Sequence, residues 1–390
     1  MPVPSRAEEK HGAGKGTPEA RQNMTAFVES CLETVTDSAV AAERKSRGRP
    51  RARRLLHALE HKKNILVTTH MHPDPDALAS CLALLHLLRA KLPNADVSMS
   101  IKGQVAGGIN AAFAKLSQLD LVRWDDQKLA EYDGIVLTDT QPMSAYCPLP
   151  PEIQATAVID HHRGGYSKPH CPFVDLRPDV GATSSIVFSY FMELDVSISP
   201  VLGASLLYAI ESDLAGAAGT PGELDNIALS NLTLIADTRR LYQMRYVDLP
   251  QSYYAAYALA LANAHYFNDA IISHIGEIDS LEKPAVMADF LLRFDQVQWA
   301  LVTATYENRL IVSLRTSSKT SSASDVIRPL LRKLGEGGGH RTKAGGFVPL
   351  NSATAAEVTR LRDLLRRRLL RILKIRGARG QRLINTPASE

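Results

Sequence analysis

Three stretches of the chain share one rhythm. NILVTTH from Asn64, DGIVLTD from Asp133 and TAVIDHH from Thr156 each end a short β-branched apolar run in acidic or imidazole side chains. Longer apolar segments lie between them, such as ALASCLALLHLLRAKL from Ala77. Short apolar strands alternating with helices predict an α/β fold, a doubly wound parallel sheet covered on both faces. Such sheets take ligands at the carboxyl ends of their strands, where all three runs carry their polar residues.

From about Ser230 to Ile275 the pattern turns helical and rich in Ala, Leu and Tyr. Beyond it, WALVTATYENRLIVSLRTS predicts two strands around Glu307 and Asn308, SDVIRPLLRKLG predicts a helix, and the glycine-rich GEGGGHRTKAGG follows. The expected organisation is a flexible basic N-terminal tail over 1–50, a first domain over 51–235 and a helical linker over 236–280, followed by a second, smaller α/β domain over 281–375 and a C-terminal tail over 376–390. There is no internal repeat of solenoid period.

Composition narrows the class. The 390 residues are 45% hydrophobic, enough to fill a core in each of two or three domains, and 45 Lys plus Arg against 41 Asp plus Glu give only a mild positive balance. Four cysteines without C-x-x-C spacing argue against a disulfide framework or zinc knuckle and fit a reducing compartment. No apolar signal core and no membrane-length apolar stretch occur, so the expectation is a cytoplasmic protein without a membrane partner. Arg366, Arg367, Arg368 and Arg371 form a basic run near the C-terminus, either a solvated face or a contact for a nucleic-acid backbone.

The chemistry concentrates in VTTHMHPDPDALAS, where His70, Asp74 and Asp76 share a turn stiffened by Pro73 and Pro75. Carboxylates with imidazole suit a divalent ion such as manganese, whereas structural zinc more often shows thiolates. Asp74 or Asp76 could instead cap the following helix, which needs one acidic residue and leaves the others unexplained. Asp139 alone would pass for a turn or cap residue, but it ends a neighbouring strand. His161 and His162 are adjacent on extended backbone, so their side chains point apart and should do different work.

These motifs resemble the DHH phosphoesterases. HMHPDPDA matches H-x-x-P-D-x-D-A, TDT looks like the second motif, DHH is the signature, and AIESDLAG with Asp213 is similar to the fourth, with Leu214 where threonine is usual. Gly337, Gly338, Gly339 and His340 resemble the glycine-rich motif of the DHH-associated domain, and SLRTS its Arg-Ser strand, with Arg315 matching the arginine. Lys343 stands where that domain usually has alanine. The resemblance runs from about Asn64 to Val348.

The resemblance implies two divalent ions, manganese first, with magnesium or cobalt as alternatives. His70 and Asp74 would hold one ion, Asp76, His161 and Asp213 the other, and Asp139 would bridge them. Among the catalytic residues Asp139, Asp160 and His162, Asp160 would orient an imidazole and His162 would contact the substrate phosphate or assist the leaving group. Arg315, the three glycines, His340 and Arg341 would bind substrate. The implied activity is metal-dependent hydrolysis of short oligoribonucleotides and of 3'-phosphoadenosine 5'-phosphate, by a protein that would form a homodimer. A cyclic-dinucleotide phosphodiesterase is the neighbouring alternative. Inorganic pyrophosphatases resemble a branch with a different C-terminal domain, and the RecJ branch carries further nucleic-acid-binding domains. A non-catalytic nucleotide- or RNA-binding protein on the same scaffold is the alternative from another class.

Overall fold

The computed structural model describes residues 50–384, apart from 104, 106, 143, 145, 163–170, 215–220, 340 and 378. Nearly all of the expected N-terminal tail and part of the C-terminal tail therefore lie outside the described residues, as does His340. The first domain opens with α1 (Arg51–Leu59), β1 (Asn64–Thr68), α2 (Pro75–Lys91), β2 (Asp96–Met99) and α3 (Gly108–Leu116), then β3 (Gly134–Thr138), β4 (Ala157–Asp160) and β5 (Phe173–Leu176). It closes with α4 (Thr183–Leu194), α5 (Pro200–Leu214) and α6 (Glu223–Ile235). The five strands are all parallel, in the order β2-β1-β3-β4-β5. β3 and β4 are buried at every position, so their apolar runs show no alternation, as strands covered on both faces should. The doubly wound α/β reading of the first domain is what the structure has.

Helices α7 (Thr238–Arg245) and α8 (Gln251–Ala262) occupy the expected linker. The linker is not helical throughout. Its end forms β6 (His265–Phe267) and β7 (Ala270–Glu277), followed by α9 (Lys283–Leu291), β8 (Trp299–Tyr306), β9 (Arg309–Thr316), α10 (Ala323–Leu331), β10 (Glu336–Gly339), β11 (Lys343–Pro349), α11 (Ala355–Ile372) and β12 (Gln381–Arg382). Ile271, Ser273 and Ile275 are buried at alternate positions of β7, a period-2 signal masked by the Ala-rich helix just before it. The second sheet is mixed, ordered β10-β11-β9-β8-β7-β6-β12, and takes β6, β7 and β12 from outside the expected 281–375 boundaries. Glu307 and Asn308 form the expected turn between β8 and β9, with Glu307 at φ 50°.

Helix α11 buries Val358, Leu361, Leu365 and Leu369 at helical spacing. Part of its basic run is structural. Arg368 Nη1 donates to the carbonyls of Leu330 and Arg332 at 3.0 and 2.9 Å, closing the C-terminal end of α10.

The domains are joined by more than the linker. Glu282, at the start of α9, accepts from the backbone N–H groups of Ile109 and Asn110 at 2.9 and 3.2 Å, placing a carboxylate on the N-terminus of α3. Tyr253 on α8 bonds to the same carboxylate and accepts from Gly108 N at 2.7 Å. A Cβ at Gly107, where φ is +102°, would lie 2.3 Å from the Glu282 carboxyl carbon, so the close approach requires glycine. Glu282→Ala removes this inter-domain cap and is expected to cost about 1–2 kcal/mol in urea unfolding; an unchanged unfolding midpoint would show the contact to be incidental.

Candidate metal centre

The strand order reverses direction between β1 and β3: the chain winds outward to β2 on one side and through β4 to β5 on the other. That switch point opens a crevice at the carboxyl ends of the strands. His70 and Asp74 lie on the β1–α2 turn, Asp76 in the first turn of α2, and Asp139 directly after β3. Asp160 is the last residue of β4, His161 and His162 follow it, and Asp213 lies in the last turn of α5. Asp139 has φ +55°, a left-handed conformation that Asp tolerates better than most residues and that turns the chain sharply at the strand end.

The side chains converge. His70 Nε2 lies 3.5 Å from Asp139 Oδ2, and His161 Nε2 lies 3.5 Å from both Asp139 Oδ1 and Asp213 Oδ2. Donor atoms gather into three groups, each with all members within 4.8 Å of one another: His70, Asp74 and Asp139; Asp76, His161 and Asp213; and Asp139, His161 and His162. Asp139 thus stands beside both of the sets expected to hold separate ions.

Local bonds orient the donors. Nδ1 of His70 lies 2.9 Å from Met71 O, and Nδ1 of His161 lies 3.2 Å from Val180 O. A carbonyl only accepts, so Nδ1 carries hydrogen in both rings and Nε2, on the cluster side, is the atom left to bind a cation. Asp74 Oδ1 accepts from Ala77 N at 3.1 Å, and Asp76 accepts from Thr183 N and Ser184 N at 2.7 and 2.8 Å. Capping and convergence are therefore not alternatives: Asp74 caps its own helix, Asp76 caps α4, and both face the cluster. Each carboxylate oxygen has a second lone pair for this. Asp160 is fully buried; its Oδ1 lies 2.6 Å from His162 Nδ1 and accepts from His162 N at 3.1 Å, while Oδ2 accepts from Gln141 Nε2 at 2.8 Å. Asp160 thus holds His162 in place, and His162 is the more exposed ring of the pair.

Gln141 and Thr183, whose Oγ1 donates to Asp139 Oδ1 at 2.8 Å, escaped sequence reasoning. Gln141 directly follows the second motif, and Thr183 opens a helix with no distinctive spacing to the motifs.

The electrostatics favour a cation. Burial, then the negative charges of Asp139 and Asp213, push the Asp74 carboxyl up and the Asp76 carboxyl well up. Burial is the largest single influence on His70 and opposes charging it, but the hydrogen bond to Asp139 and the charges of Asp139 and Asp74 together outweigh burial and raise the ring to about 9; for His162 the Asp160 hydrogen bond and the charges of Asp160, Asp139 and Asp213 together do the same, also to about 9. Asp139 is held well below the usual carboxylate range because the three imidazoles overcome its burial. Crowded buried carboxylates beside imidazoles whose Nε2 atoms face the cluster are a donor set that fits hard to borderline divalent ions, whose charge replaces the protons.

In the second domain, the glycines expected to cradle phosphate form a strand, β10, at the sheet edge. Gly337 pairs with Gly346, and a Cβ on either would press on Leu331 Cδ1, at 2.6 and 2.5 Å. These two glycines therefore have a packing role that the motif reading did not include. Gly338 faces open space, and Gly339 has φ +149°. Arg315 Nε is 2.8 Å from Asp289 Oδ1, and Nη1 donates to Ser313 Oγ at 3.1 Å, so the guanidinium is partly engaged within the domain. Lys343 reaches across to the first domain, with Nζ 3.4 Å from Asp213 Oδ1.

Residues 64–210 match the model of the DHH family, N-terminal domain. Over that stretch the chain is similar to the DHH family. An uncharacterized protein of Methanocaldococcus jannaschii is 30% identical over 306 residues, 78% of this chain and 62% of its own length. A probable manganese-dependent inorganic pyrophosphatase of Listeria innocua is 28% identical over 173 residues, 44% of this chain and 55% of its own. The chain thus spans roughly half to three fifths of the length of these curated relatives. The crystal structure of an exopolyphosphatase-related protein from Bacteroides fragilis shares the fold, with a TM-score of 0.65, 18% identity, and coverage of 85% of this chain and 99% of that one. No helix among the described residues is long and apolar enough to cross a membrane.

Because Asp76 caps α4 while its buried charge is repelled by Asp139 and Asp213, Asp76→Ala in chelator, where no ion contributes, is expected to lose cap bonds worth about 2 kcal/mol, less whatever is regained by relieving that repulsion. Asp213→Ala, which removes no cap, should cost less. Urea unfolding of both variants in EDTA compares them, and equal costs would count against the capping role.

Proposed function

We propose that the chain is a metal-dependent phosphoesterase that hydrolyses short oligoribonucleotides, and 3'-phosphoadenosine 5'-phosphate with them. The observation that carries this reading is the placement of Asp139 beside both donor sets, His70 with Asp74, and Asp76 with His161 and Asp213. On this reading His70 and Asp74 would hold one divalent ion and Asp76, His161 and Asp213 another, with Asp139 available to both; manganese is the first candidate, as for the manganese-dependent Listeria relative. Two such ions, when bound, neutralise phosphoryl oxygens and lower the pKa of a nucleophilic water.

The protein's own groups supply the rest. His162, held through Nδ1 by Asp160, offers its other ring nitrogen to a phosphoryl oxygen or to the departing alkoxide. Asp160 stabilises the charged ring, and Gln141, bonded to Asp160 and to His162 O, fixes the pair against rotation. Thr183 and the α4 N-terminus keep Asp139 and Asp76 oriented. Arg315, the β10 glycine edge and His340 would take the nucleotide portion.

Cyclic dinucleotides and pyrophosphate are rival substrates. The pyrophosphatase relatives match less than half of this chain, which weighs against pyrophosphate; the oligoribonucleotide reading rests on the resemblance of SLRTS and GGGH to the motifs of the DHH-associated domain. The test is a panel of di- to pentaribonucleotides, 3'-phosphoadenosine 5'-phosphate, a cyclic dinucleotide and pyrophosphate at one manganese concentration. Short oligoribonucleotides are expected to give the highest kcat/KM, and Asp139→Ala to lower it by more than about 10²-fold, beyond what loss of an outer hydrogen-bond partner does. Binding that survives in both proteins with turnover in neither would instead identify a nucleotide-binding module.

A further inference from the structure

Lys343 opens β11, and the antiparallel register sets it directly opposite Arg315 on β9. Directly paired residues project from the same face of a sheet, so two cationic side chains leave the second domain side by side. The face is that of the crevice, because Lys343 Nζ donates to Ser212 O at 2.7 Å and lies 3.4 Å from Asp213 Oδ1. The other oxygen of the same carboxylate, Oδ2, is the one 3.5 Å from His161 Nε2. Asp213 is thus shared, with one oxygen toward the donor cluster and the other toward an ammonium from the opposite domain.

An ammonium has three N–H donors, and among the described residues these two contacts leave one. The side chain is 19% exposed, so that donor is not sealed off from solvent. Arg315 Nη2 likewise forms no hydrogen bond among the described residues, where Nε and Nη1 are occupied. Alanine, the residue usual at this position in the motif that the chain resembles, would supply neither charge nor reach.

We propose that Lys343 is a substrate-binding residue that grips a non-bridging oxygen of the phosphate undergoing hydrolysis, from the second-domain side of the cleft. This rests on the phosphoesterase reading above. The ligand class is a phosphate mono- or diester, and the ammonium acts as a point charge beside the ions rather than as an ion ligand.

The test compares the full chain with Lys343→Ala and Lys343→Arg at saturating manganese. Three quantities are read: bound manganese per chain by equilibrium dialysis, adenosine 5'-monophosphate affinity by calorimetry, and kcat and KM for a diribonucleotide. Lys343→Ala is expected to keep its manganese while KM and the nucleotide Kd rise roughly ten- to hundredfold, as for loss of a hydrogen bond to a charged group. Lys343→Arg should recover part of the loss. Unchanged KM and Kd overturn the proposal. So does a loss of manganese that accounts for the weakened binding, since Lys343 would then act only by supporting Asp213. If no substrate is turned over by the parent chain but nucleotide binding still depends on Lys343, the phosphate-binding assignment stands and the hydrolase reading fails.

Discussion

The carboxylate of Asp139 is the point on which the first domain is organised. Its oxygens lie 3.5 Å from His70 Nε2, 3.5 Å from His161 Nε2 and 3.7 Å from His162 Nδ1, and one of them accepts from Thr183 Oγ1 at 2.8 Å. A carboxylate this buried is costly unless its charge is met, and three imidazoles from two different loops meet it. Neighbouring Asp76 is met differently, by the backbone N–H groups and positive dipole end of α4. Each carboxylate at this edge therefore requires a particular element behind it, and those requirements constrain how the strands and helices can be arranged.

This constraint explains what sequence reading reaches and where it stops. β1, β3 and β4 are visible because burial on both faces demands unbroken apolar runs, and the charges that the crevice needs sit at their ends. β2 and β5 are hidden: DVSM and FVDL are short and only partly buried, and each is paired on one side alone. The cluster residues were legible as spaced motifs, since a turn must deliver several donors at once. Gln141 and Thr183 were not, because their roles depend on which loop and helix the fold brings alongside. β6 and β7 were lost for a local reason: a run of Ala and Leu in α8 dominates any window that includes them.

In the second domain, residue type alone was ambiguous. Arginine and glycine suggest anion binding, yet Gly337 and Gly346 are glycines because two strands pack closely beneath α10, and Arg368 spends its guanidinium on the carbonyls at the end of that helix. Arg315 lies between these cases. Its partner Asp289 is about half exposed, and an ion pair open to water is weak, so a phosphate could displace it at little cost.

The two domains touch at two separate places beside the donor cluster, and this bears on how a site shared between them can hold its shape. At one place Glu282 caps α3, and Asn110 in that helix donates through Nδ2 to Pro73 O at 3.3 Å, one residue before Asp74. At the other Lys343 meets Ser212 and Asp213. Each anchor thus connects the second domain to a segment carrying a member of a different donor set. A single flexible tether would let the gap between the cluster and β10 vary; two anchors with directional hydrogen bonds oppose both translation and tilt. On the proposed function, the length of ligand that fits between the cluster and the glycine edge would then be governed by a helix cap and a lysine as much as by the residues that touch the ligand.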